Sequence, residues 1–156
     1  MMYASETKVS PEKTRAEIDS TLQRYGATGF LYYARPERAV IGFELGGRSI
    51  RFELAMPDPG LDCYTHTAGG KRRSPSSAAA AHGQAVRQRW RALLLVIKAK
   101  LEAVEAGIVE FDHEFLAHIV TPSGQTVGEV LAPQLEARLA GKGEGLLLPD
   151  YSEGGR

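Results

Sequence analysis

The chain has a single cysteine, Cys63, among 156 residues. That scarcity excludes an intramolecular disulfide and any zinc site built from four thiolates. Apolar residues never run far: the longest stretch, Ala92 to Ile97, is well short of the roughly 20 residues that cross a bilayer. No membrane span is expected. The first ten residues are polar and lack both the apolar core of a signal peptide and the arginine-rich pattern of a transit peptide, so the expected location is cytoplasmic. A hydrophobic fraction of 43% with 24% charged residues argues against a disordered or fibrous chain and for one globular domain.

Acid is missing from one block of the sequence, and this absence is the most informative. The net charge is zero, yet residues 63–101 hold eight Lys and Arg and no Asp or Glu. Residues 1–62 hold eight bases against nine acids, and residues 102–156 hold three against ten, giving −1, +8 and −7 along the chain.

The fold class reads as α+β. Ser10-Pro11-Glu12 has the form of a helix start, a hydroxyl cap followed by a proline whose missing N–H costs nothing there. Thr14, Ile18, Leu22 and Tyr25 follow at helical spacing, and Gly26 closes the helix. Three strands are predicted over Thr28 to Ala34, Ala39 to Leu45 and Arg48 to Met56, joined by Arg35-Pro36-Glu37-Arg38 and by Gly46-Gly47. Loops this short make antiparallel neighbours, hence a three-stranded meander. Gly42 reads as a bulge or a close packing contact.

Residues 57–74 are rich in Gly, Pro, Asp and Thr and read as a long mobile loop. A long basic amphipathic helix follows, starting at Ser74-Pro75 or nearer Ala80, with Val86, Trp90, Leu93, Ile97, Leu101 and Val104 as its buried stripe. Two short C-terminal helices complete the pattern. One is capped by Asp112 and carries Phe115, Leu116 and Ile119; the other opens with the capping box Thr126 and Glu129 and meets a kink-prone Pro133. The expected organisation is a flexible segment over 1–9, one domain over 10–149 and a loose end over 150–156, with Leu146 to Leu148 tucked onto the body.

Catalytic patterns are sparse. His113 and His118 stand five apart, one residue too many for a zincin helix, and no clustered carboxylates complete a shell, so no metal is expected. Asp62, Cys63 and His66 lack a third orienting group for thiol chemistry. The glycines do not sit between a strand and a helix as a phosphate cradle requires, so no nucleotide cofactor is expected. The composition leans away from an enzyme.

Helical geometry places Arg87, Arg91 and Lys98 within about 40° of one another beside the apolar stripe, with Arg89 and Lys100 on its other flank. Two readings compete. In one, long basic side chains lie along a buried face and reach past it to water or to the acidic C-terminal third. In the other, Lys71, Arg72 and Arg73 of the loop join Arg87, Arg91 and Lys98 in one positive surface that follows a phosphate backbone. Tyr32, Tyr33 and Tyr64 are candidate stacking groups for bases, although strand aromatics more often belong to the core.

The segments Arg87 to Gly107, Phe115 to Val120 and Thr126 to Glu129 resemble a family of small uncharacterised phage and prophage proteins, over most of the chain from about residue 10 to 149. The resemblance implies a mobile-element origin and transfers no catalytic residue. The order helix, meander, long helix is also similar in topology to the core of single-strand annealing proteins of the phage recombinase type, which hold single-stranded DNA in a basic groove. None of their motifs is present, and fold likeness does not carry function.

The first functional expectation is thus a non-enzymatic phage accessory protein that binds nucleic acid, single-stranded DNA included, through the six named cations. The alternative is a protein-interaction module, either a self-assembling scaffold or an inhibitor of a host or defence complex. Its separated charges suit a homo-oligomer or a docked host or phage protein.

Overall fold

A computed structural model describes residues 2–141; Leu146 to Leu148 and the end at 150–156 lie outside the described residues. Ser10 caps the first helix, α1 (Pro11–Arg24), by accepting a hydrogen bond from the Lys13 amide, and Gly26 at φ +86° turns the chain out of it. Three strands follow, β1 (Thr28–Arg35), β2 (Arg38–Leu45) and β3 (Arg48–Ala55), in an antiparallel sheet of order β1-β2-β3. Gly46 and Gly47 both take positive φ, as a two-residue hairpin turn demands.

Pairing explains the alternation read from the sequence. Ala39 faces Leu54, Ile41 faces Phe52 and Phe43 faces Ile50, so one side of β2 and β3 is a continuous apolar surface. Against it packs the long helix α3 (Pro75–Glu105), through Trp90, Leu93, Leu94, Ile97 and Leu101, with Ile18 and Leu22 of α1 alongside. Phe115 closes the core, set edge-on to Phe52 at 6.4 Å. The mixed α+β architecture with a β-meander is therefore as the sequence indicates, and among the described residues no helix is long and apolar enough to cross a membrane.

Several local features differ from the sequence reading. Ser74 caps α3 at Pro75, so the alanine run is helical. Residues 57–74 contain a one-turn helix, α2 (Asp62–Thr65), and a small closed turn in which Thr67 and Arg73 amides donate to Lys71 and Thr65 carbonyls at 2.8 Å. The Thr67 hydroxyl and Gly70 at φ +78° make that turn, which periodicity does not reveal. Residues 3–7 lie on α3: Gln84 donates to the carbonyls of Ser5 and Thr7, and buried Gln88 donates to that of Tyr3.

Asp112 sits inside the short helix α4 (Phe111–Glu114), two residues past its cap position at Glu110, and pairs with Arg48 at 2.9 Å. A 3-10 turn over Leu116–His118 follows, without Ile119, which bridges to Ile50. The last helix, α5 (Val127–Ala140), starts from the predicted Thr126 and Glu129 capping box and runs through Pro133. Gly42 is a close contact rather than a bulge, because an added Cβ would lie 3.3 Å from Leu31 Cβ. The bulge falls instead on β1, between Thr28 and Leu31, where Gly29 takes φ +64°.

Candidate interaction surface

The six predicted cations do not share one environment. Arg91 reaches across to α1 and pairs with Glu17 at 2.7 Å. That bond is the main reason the Glu17 carboxyl sits below its ordinary pKa, with Lys98 and Lys13 adding attraction against the cost of burial. Arg87 donates to the Thr7 carbonyl and to Gln84, and so helps hold the N-terminal segment. Arg73 donates to the His66 carbonyl at 3.1 Å and steadies the turn after α2. Lys71, Arg72 and Lys98 are exposed and make no ion pair among the described residues.

Across α3, Lys100 pairs with Glu114 at 2.9 Å, and Arg89 lies on the flank nearer Tyr64. The cations thus flank the helix, and the side of α3 turned to water carries Leu95, Val96 and Ala99 instead. Cys63 is exposed, while the His66 ring contacts Thr65 at 2.9 Å and Asp62 at 3.5 Å.

The strand β1 is where the sequence predicts it; what sequence reasoning missed is its exposure. All eight of its residues are exposed, including Phe30 at 41%, Leu31 at 58%, Tyr32 at 45% and Tyr33 at 40% of full accessibility. An aromatic strand was expected to be core. It is the sheet's edge, and no described segment hydrogen-bonds to its outer side. The register gives β1 two distinct faces. Tyr32 lies opposite Ile41 and points to the core side, where it tilts against Trp90 at 6.0 Å and lies under the Arg15 guanidinium at 4.1 Å. Leu31, Tyr33 and Arg35 lie on the other side with Gly42, Val40 and Arg38.

Between α1 and β1 runs a groove of about 280 Å³, lined by Ala16, Ile18, Leu22, Phe30, Tyr32 and Ile41, with Glu12, Arg15 and Asp19 at its rim. Arg15 Nε is buried there without a hydrogen-bond acceptor among the described residues. Such a surface can bury aromatic rings and offer a row of backbone donors and acceptors to an added strand. The missed signal was the aromatic run itself: alternation, clear in the second and third strands, is weak in Phe30-Leu31-Tyr32-Tyr33.

Set against known protein families, curated proteins and solved structures, the chain matches none.

Proposed function

We propose that this protein is a non-enzymatic interaction module whose working surface is the open β1 edge, and that its occupant is an extended polypeptide strand. The observation that carries the reading is the contrast between an aromatic β1, exposed at every residue with no described segment paired to its outer side, and a sheet whose other edge is paired by Ile119 and Val120 at Ile50 and Ser49. Backbone pairing supplies affinity in such docking, and the side chains of alternate positions supply selectivity. Here those positions are Phe30 and Tyr32 toward the groove and Leu31 and Tyr33 on the other face.

Selection from a random peptide display library tests the proposal. Enriched peptides should have strand-forming sequences and should slow hydrogen exchange at the outward amides of β1. Failure to enrich any peptide, or protection on another element, overturns it.

A second reading, a phage accessory protein that holds nucleic acid, draws support from Lys71, Arg72 and Lys98, which remain exposed without carboxylate partners among the described residues, and from the exposed tyrosines of β1. Titration with single-stranded DNA, duplex DNA and RNA at falling salt separates the two. Phosphate contacts strengthen as salt falls; peptide pairing on an apolar edge changes little.

A further inference from the structure

Resting on the reading of β1 as a docking strand, we infer that its occupant is a second copy of this chain, paired β1 to β1 about a two-fold axis at Tyr32 to make one six-stranded antiparallel sheet. Three features of the strand lead to this register.

The first is the pleat. A two-fold axis perpendicular to the sheet keeps each face on its own side, so directly opposed residues must point the same way. Centring the axis on Tyr32 meets that condition, with Tyr32 opposite Tyr32, Leu31 opposite Tyr33 and Phe30 opposite Ala34. A one-residue slip would set core-facing side chains against outward ones.

The second is charge. Glu44, opposite Thr28 on β2, lays its side chain across Gly29: a Cβ built on that glycine would be 3.2 Å from the Glu44 side chain and 3.3 Å from its carboxylate oxygen. The carboxylate therefore extends over β1 toward the free edge, and it makes no ion pair among the described residues. At the far end of the same strand, on the same face, Arg35 lies by Tyr33 and makes no ion pair among the described residues. The Tyr32-centred register places Arg35 of each copy opposite Gly29 of the other, beside Glu44. One symmetric contact occurs twice.

The third is the unsatisfied group. The Tyr32 pair would lie beneath Arg15, whose Nε has no acceptor among the described residues of one chain. A second tyrosine hydroxyl is an acceptor of suitable chemistry for that site.

Sedimentation velocity on the full chain over a wide concentration range tests the inference, with hydrogen exchange to locate the interface. The wild type should associate to a dimer as concentration rises, with its β1 amides protected in the dimer. Arg35→Glu and Glu44→Arg should each weaken association about ten-fold, since each sets like charges together twice, and the double reversal should recover most of it. Both residues are exposed, and circular dichroism checks that the variants stay folded. A wild type that remains monomeric throughout, a dimer with unprotected β1, or single reversals without effect overturns the second copy as occupant. A strict monomer that still takes selected peptides along β1 leaves the docking strand standing and removes only the self-pairing, so the two failures are distinct.

Discussion

The two edges of the sheet differ in what lies beyond them. Along β3, the Val120 amide donates to the Ser49 carbonyl at 2.8 Å, Ile119 bridges to Ile50, and Arg48 and Arg51 are held by Asp112 and Glu129. The His118 ring stacks on Phe52 at 4.1 Å. The chain after α3 therefore covers that edge from Arg48 to Phe52. Along β1 no cover is present among the described residues, although its side chains are the more aromatic. Exposed edges are ordinarily blunted by charge, proline, a bulge or a short strand; β1 is bulged between Thr28 and Leu31, but it pairs regularly from Leu31 to Arg35 and carries only Arg35 as a charged residue, at its end. The contrast teaches that the fold protects one edge and presents the other.

The largest expected effect lies on the covered side. Phe115, fully buried between Phe52 and Phe111, should cost about 3–5 kcal/mol when replaced by alanine, read as a fall in the urea midpoint at unchanged slope. On the open side, Gly29→Ala forces a side chain into the left-handed region and displaces Glu44, at a cost of about 1–2 kcal/mol. The same variant should weaken the dimer, because the carboxylate would no longer lie over the strand. Back on the covered side, Thr126→Ala removes the cap of α5 and should cost about 1 kcal/mol.

A smaller effect follows from pH. Burial beside Phe52, with Lys100 adding repulsion, holds the His118 imidazole below its ordinary value of 6.5, while a hydrogen bond to the Arg51 backbone pulls the other way. The unfolded chain then takes up the proton first. The His118 contribution to stability is full above pH 6.5 and is lost as pH falls through the lowered folded value. Glu17 and Glu129, whose values are lowered from 4.5 by Arg91 and by the Thr126 amide, lose theirs only at more acidic pH. Urea denaturation on both sides of the histidine window should show the loss, and His118→Leu should remove it. The smallest effect should come from Tyr33→Lys: within about 0.5 kcal/mol on monomer stability, yet abolishing strand docking. A large loss of stability in Tyr33→Lys would place β1 in the core and end the contrast.

Much of the fold was legible because each element carries its own local signal. Ser10, Gly26, Gly46-Gly47, Ser74-Pro75 and the Thr126 box all act within a few residues of themselves, and the stripe from Val86 to Val104 is long enough to fix helix and face together. The candidate site was less legible. The acid-free block from 63 to 101 correctly marks a region without internal ion pairs, but it does not reveal that Glu17, some seventy residues earlier, would reach Arg91, or that Arg87 and Arg73 would hold backbone carbonyls. Neither could the aromatic run of β1 declare itself an edge. Burial depends on what packs outside a strand, and nothing in residues 28–35 records that.

By itself, then, the sequence determined the order of elements, their turns and the inward side of β2, β3 and α3, because these follow from short-range backbone preference and from the period of apolar residues. Only the tertiary structure decided which cations were neutralised, which sheet edge was covered by residues 119–120 and which was left open. Those outcomes are contacts between segments far apart in the chain, and they are set by how the packed layers meet.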